Sequence, residues 1–418
     1  MVTSPAAQEV SGTAPNRGLF IAGLGIGQIC SWGSLYYSFP IIAEAMAPEL
    51  GYSKPTIYGA ATLGLLVAGL AAYPVGAAID RGHGRQIMGG GALLAGLMLL
   101  VWTTVESLVP FYLALAGLGL AQAATLYEPA FAVIARRFGP ADARRGITSV
   151  TLWGGFAGTV FIPAIQLMVD GIGWRGALAV LAGVNIAICA SLYIALIRKS
   201  ADHGHAAAAA AGAVPQPEAD RNALRMALRS PVFWSLAVSF VGYAAIFSTL
   251  GYHFYPLLIE RGLDIDHVIL ALSVMGPSQV AARVAVWALG PKASVRWIGA
   301  LTVLAFPIAL TALTLAPPDF LPIVLILILH AGANGIMTII RGLVVPEMLS
   351  PHAYGAINGA LSAPVMLSRA FAPVIAAALW WAEGSYDWVL IALILCSLLV
   401  AGGFWNATLL TRPRRSGA

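Results

Sequence analysis

Twelve apolar stretches run from one end of this chain to the other, near residues 18–46, 55–79, 86–105, 109–135, 147–169, 176–197, 232–259, 267–289, 297–315, 321–340, 356–381 and 389–410. At about 1.5 Å of rise per residue, each can carry a helix across a hydrocarbon layer about 30 Å thick. No water satisfies the backbone inside such a layer, so each stretch must close its hydrogen bonds within itself. With 59% hydrophobic and 10% charged residues among 418, there is too little polar surface for a water-soluble body of this size. The expectation is an all-α membrane protein of twelve transmembrane helices. A soluble enzyme is excluded.

Basic residues orient the bundle. With both termini cytoplasmic, eighteen of the 23 Lys and Arg fall in inner loops and tails, against Lys54, Arg175 and Arg261 outside. That bias selects an even number of spans with both ends in. Basic inner loops facing anionic lipid also account for the net charge of +5, so nucleic acid is not needed as a partner. The expected home is the plasma (inner) membrane.

Between the sixth and seventh stretches the chain turns polar, with an alanine run at 206–211 followed by Pro215 and Pro217. This divides it into a cytoplasmic tail (1–17), a six-helix half (18–198), a cytoplasmic linker (199–230), a second six-helix half (231–411) and a short cytoplasmic tail (412–418). Arg221, Arg225 and Arg229 share one helical face, which either lies on headgroups or is simply solvated. The first apolar run is too long for a signal core and is expected to stay in the mature protein. Cys30, Cys189 and Cys396 all fall within spans, and they read as small packing residues without metal-ligand spacing.

Arg283 and Arg369 lie mid-span, where an arginine costs about 2.5–3.5 kcal/mol to insert. Keeping two of them where carboxylates are scarce points to holding an anion; a structural charge pair or snorkelling side chains are the plainer alternative. Helical spacing adds polar and aromatic stripes that should turn away from lipid. Trp32 and Tyr36 align with Gln28 on the first span, Tyr243 and Phe247 on the seventh, His330 and Asn334 on the tenth, and Asn358, Ser362 and Arg369 on the eleventh. All but Gln28 and His330 are candidate substrate contacts, with Arg283, although Trp32 and Tyr36 serve equally as core. Glu128, His253 and His330 are candidates for proton coupling, with plain hydrogen bonding between helices as the alternative.

The halves also repeat. Gly146, Pro163 and Trp174 of the fifth span have counterparts in Gly355, Pro373 and Trp388 of the eleventh, at offsets of 209, 210 and 214 residues. Repeats of this kind build many secondary transporters, with the substrate site between them.

The segment from Gly76 through Asp80 and Arg81 to Gly84-Arg85 resembles the Gly-x-x-x-Asp-Arg-x-Gly-Arg signature of the major facilitator superfamily, with one extra residue between Arg81 and Gly84. Only a worn trace, Gly290-Pro291-Lys292-Ala293-Ser294, recurs in the second half. Within that superfamily the chain is most similar to the monocarboxylate transporters and oxalate/formate exchangers. The likeness rests on Ser31-Trp32-Gly33, Arg144-Arg145-Gly146, Gly154-Gly155, Arg283 and Arg369. It implies two pseudo-symmetric halves, a substrate-binding arginine at Arg283, a second cation at Arg369 for the far end of a dicarboxylate, and a cytoplasmic gate built from Asp80, Arg81 and Arg85. Two departures stand out. Gln279 occupies the place of the aspartate that animal monocarboxylate transporters carry one turn before the arginine, and the proline of the drug/proton antiporter motif is missing from Gly154–Gly158.

The expected function is secondary transport of a small organic anion, a mono- or dicarboxylate, by alternating access, as exchange or linked to protons. The anion would bridge Arg283 and Arg369. The alternatives are proton-coupled export of a metabolite or drug-like compound and, from another class, a non-transporting membrane sensor. No cofactor or metal is expected, and the carrier should work as a monomer.

Overall fold

The computed structural model describes residues 17–197, 224–288, 294–349 and 354–411. The two tails, most of the linker and most of the worn second loop lie outside the described residues. Among the described residues every regular element is helical. Ten segments are long and apolar enough to cross a membrane. Two of these, Lys54–Thr103 and Arg145–Leu196, run for 50 and 52 residues, about 75 Å if straight. Each is interrupted by a glycine with left-handed φ, Gly82 at 90° and Gly173 at 71°.

At Gly82 the backbone itself requires glycine. A side chain there would be strained, and its β carbon would stand 3.3 Å from Arg136 Nη2. The extra residue of the signature loop is thereby absorbed in a widened π turn, Ile79–His83. Asp80, Arg81 and Arg85 are all exposed. It is the Asp80 carbonyl that Arg136 Nη1 engages.

Three further interruptions have local causes. In the first span Ser34 Oγ donates to the Cys30 carbonyl at 2.7 Å and Ser38 Oγ to the Ser34 carbonyl at 2.6 Å. Side chains that compete for carbonyls four residues back loosen a helix, and a π turn, Gly33–Tyr37, lies between them. A second π turn, Val184–Ala190, faces it, and Asn185 Nδ2 donates to Ser34 Oγ at 2.8 Å. In the fourth stretch the helix Leu108–Thr125 stops at Leu126 and restarts as Tyr127–Gly155. Pro129 has no N–H to offer the Thr125 carbonyl; Gln28 Nε2 supplies the missing bond at 2.7 Å.

Two helix pairs form the main seam between the first six stretches and the last six. Lys54–Ala78 packs on Tyr354–Glu383, and Ala157–Gly183 on Ile265–Ala288. Beside the second pair the approach is so close that a β carbon on Gly276 would lie 2.5 Å from the carbonyl oxygen of Gly155, the last residue of the helix Tyr127–Gly155. Thr159 Oγ1 also donates across to the Ser273 carbonyl at 2.7 Å.

One end of the seam is shut. Lys54 pairs with Glu44 at 3.3 Å and stands 4.1 Å over the Trp380 ring. Tyr58 stacks on His253 at 4.1 Å and donates to the Tyr252 carbonyl at 3.1 Å, while Tyr255 donates to Gln166 at 2.9 Å.

Candidate functional site

Two cavities lie along the seam, and an aromatic partition stands between them. Tyr36, carried to the wall by the π turn, stacks on Phe247 of the helix Pro231–Glu260 with centroids 6.3 Å apart. Trp32 meets Tyr36 edge-on at 5.3 Å.

The first cavity lies on the shut side, and its lining includes Tyr36, Tyr37, Phe247, Gln279, His330 and Asn334. Its walls are aromatic and its polar groups are neutral. Among the described residues the Tyr36 hydroxyl, on a residue 2% exposed, has no hydrogen-bond partner, and neither has His330 Nδ1 on a residue 4% exposed. Tyr36 can lie so deep because Gly251 opposite it lacks a side chain, and a β carbon there would overlap the hydroxyl. Asn334 Oδ1 accepts from the Tyr243 hydroxyl.

The second cavity, about 790 Å³, runs from Trp32 to Gly76, just short of the Asp80 turn. Gln122 and Glu128 line it from one side of the seam and Arg369 from the other. Its buried orphans are donors: Trp32 Nε1 and Arg369 Nε lack partners. Indole and guanidinium nitrogens cannot accept, so only an acceptor, and best an anion, can satisfy both. Glu128 is exposed to this cavity in the first turn of Tyr127–Gly155, where the free N–H groups of the restarted helix favour a carboxylate.

The two arginines have different surroundings. Arg369 makes no side-chain hydrogen bond with the described residues, and its guanidinium lies 5.7 Å from the centre of the Phe247 ring. Arg283 lines neither cavity. Its Nη1 donates to the Thr151 carbonyl across the seam at 3.1 Å, its Nε to the Gly335 carbonyl at 3.3 Å and its Nη2 to Gln279 at 3.5 Å. Among the described residues no carboxylate lies within ion-pair distance of either one.

The other candidates divide in the same way. His253 belongs to the shut end: Nε2 faces the Pro373 carbonyl at 2.9 Å and therefore donates, leaving Nδ1 to accept from the Tyr386 hydroxyl at 2.8 Å. A ring with both nitrogens occupied is a strut. Asn358 and Ser362 share a stripe with Arg369 but line neither cavity, being about 16 Å and 10 Å along the helix from it. Sequence spacing had not singled out Gln122 or Tyr37. Gln122 lies on a helix for which no stripe is given above, and Tyr37 reaches the first cavity where the π turn shifts the helical phase.

The profile of the Major Facilitator Superfamily matches residues 24–296. Monocarboxylate transporter 11 of Homo sapiens is 28% identical over 268 residues, which is 61% of this chain and 52% of that protein. Monocarboxylate transporter 12 of Rattus norvegicus is 30% identical over 142 residues, 32% of this chain and 26% of its own length. The chain thus matches about half, or less, of the length of these relatives. Among solved structures, the nucleoside transporter NupG superposes with a TM-score of 0.72 at 14% identity, covering 94% of this chain and 99% of NupG. A bacterial homolog of the human lysosomal transporter Spinster gives a TM-score of 0.70 at 15% identity, over 96% of this chain and 98% of its own. At such identities the likeness is one of fold.

Proposed function

The chain belongs to the major facilitator superfamily, and from that premise we propose that it carries a small organic anion across a membrane by alternating access, with Arg369 as the group that grips the carboxylate. The observation that carries this reading is the pair of unpartnered donors, Arg369 Nε and Trp32 Nε1, on residues lining one cavity of the seam. The monocarboxylate transporters among the relatives support a carboxylate as cargo. Counting the two long segments as two passes each gives twelve spans in two pseudo-symmetric halves, with both termini cytoplasmic in a plasma (inner) membrane and one polypeptide as the working unit. The shut end then faces outward and the Asp80 turn inward.

Arg283 is the reserve cation in this mechanism. Its bond to the Thr151 carbonyl holds the two halves together, and it can turn to the substrate only when that bond opens. Phe247, Tyr243 and Asn334 form the wall behind the anion, while Asp80, Arg81 and Arg85 border the inner mouth. Glu128 faces Arg369 across the same cavity, so a monoanion suits the local charge better than a dianion. It is also the group best placed to neutralise Arg369 when the carrier is empty, which is what proton-linked return would need. Exchange without that return would instead require substrate on both legs.

The test is thermal stabilisation of the purified protein by a panel of mono- and dicarboxylates. A ligand at 100 times its Kd stabilises by about 2.7 kcal/mol. At least one acid should raise the Tm, and Arg369→Gln should lose that rise while keeping its own ligand-free Tm. Full retention of the shift by Arg369→Gln would remove the assignment. Uptake driven by internal substrate and indifferent to a pH gradient would mark exchange; the converse would mark proton linkage.

A further inference from the structure

The two cavities differ in the chemistry of their unpartnered polar atoms. On the Arg369 side these are donors alone. On the far side of the Tyr36–Phe247 partition they are a phenol hydroxyl and an imidazole nitrogen, groups that can either donate or accept. No protein partner is bonded to His330 Nδ1, so nothing dictates which ring nitrogen carries the proton. Two buried amphoteric groups among aromatic rings are a costly arrangement if nothing fills the space, since each unmet hydrogen bond is a penalty in the folded state. They do not suit a second carboxylate, because no cation lines this cavity.

We propose that the first cavity receives the uncharged body of the substrate, and that the substrate is a monocarboxylate with an aromatic body bearing a hydroxyl or comparable hydrogen-bonding group, which meets Tyr36 and His330. This rests on the reading of Arg369 as the carboxylate grip. Phe247 joins the two ends: it lines the first cavity, and the Arg369 guanidinium stands 5.7 Å from its ring. An aryl acid extending past that ring presents its carboxylate to Arg369 and its ring to the aromatic walls. A bare dicarboxylate such as oxalate would leave this cavity without an occupant and both amphoteric groups unsatisfied.

Binding of three probes separates the possibilities: 3-(4-hydroxyphenyl)propanoate, its deoxy analogue 3-phenylpropanoate, and oxalate. The hydroxylated acid should bind at least tenfold more tightly than the deoxy acid, because a site built to meet a hydroxyl penalises its absence. Tyr36→Phe and His330→Phe should each bring that ratio down to about threefold or less. Tyr36→Phe removes an unpartnered hydroxyl, so its ligand-free Tm should equal or exceed the parent's, and His330→Gln, which keeps a hydrogen-bonding group, should retain part of the ratio. Equal affinity for the two aryl acids, or preference for oxalate, overturns the inference and leaves the Arg369 assignment standing. Undiminished binding of all three probes by Arg369→Gln overturns the assignment on which it rests.

Discussion

Arg369 and Arg283 are two arginines carried on two spans of the same half, yet one is held by fixed acceptors and the other is not. Arg283 spends its donors on the carbonyls of Thr151 and Gly335 and on the Gln279 amide, whereas Arg369 has an aromatic face beside it and no acceptor. An intramembrane arginine is therefore not by itself a binding group. On the reading proposed above, what would make it one is the lack of a fixed acceptor beside a cavity, and of these two arginines, among the described residues, Arg369 meets both conditions.

The sharpest break of this comparison is to neutralise each arginine in turn. Arg369→Gln should raise the Kd for a bound carboxylate by about a hundredfold or more, as expected when a charge-assisted pair is lost, with the ligand-free Tm little changed. Arg283→Gln should do the reverse, lowering ligand-free stability by about 1–3 kcal/mol as its carbonyl partners lose their donors, with about a tenfold change in affinity. Calorimetric titration together with a melting curve for each variant measures both. Equal loss of affinity in the two variants would collapse the distinction.

A smaller effect sharpens the comparison from the Arg283 side. Gly276→Ala would put a methyl group 2.5 Å from the Gly155 carbonyl oxygen and force apart the helices that carry Arg283 and its partner Thr151. Overpacking of this kind costs about 1–3 kcal/mol. The Tm should fall; because Gly155 and Gly276 also line the first cavity, only the affinity for a small acid that reaches no farther than Arg369 should hold to within about threefold.

The least effect belongs to the first turn of the Arg283 helix. The backbone N–H of His267 donates to Asp264 Oδ1 at 3.0 Å, and its ring engages Oδ2; these bonds hold the Asp264 carboxyl below the ordinary aspartate value. A depressed carboxyl stabilises the folded state above the unfolded value of about 3.9 and loses that contribution as pH falls through the lower folded value. The small advantage of the parent over Asp264→Asn should thus hold from about pH 7 to about 4 and vanish below. Melting curves across that range check it, and carboxylate affinity at neutral pH should be identical in the two proteins.

Some of this was legible before any coordinates. Long apolar runs can only be helices in lipid, so the helical class and the membrane setting followed from composition and length, and the signature around Asp80 and Arg81 named the superfamily. The stripes of spacing found Tyr36, Trp32, Phe247, His330 and Asn334, all of which line one of the two cavities. Spacing failed where a helix departs from its period. The π turn at Gly33–Tyr37 brings Tyr37 to the first cavity, and the break before Tyr127 sets Glu128 in the first turn of a new helix. It also could not separate His253 from His330, two buried rings in apolar spans, since only the folded chain brings Pro373 and Tyr386 to the first and leaves Nδ1 of the second without a partner.

By itself, the order of residues determined that this chain lives in a bilayer as a helical bundle, because hydrophobicity is a local property that sums along each stretch whatever its neighbours are. Only the tertiary structure decided which buried polar groups are satisfied. Hydrogen-bond partners come from residues up to 194 positions away in the chain, as between Tyr58 and Tyr252, and a donor is free or spent according to where those distant carbonyls and hydroxyls come to rest.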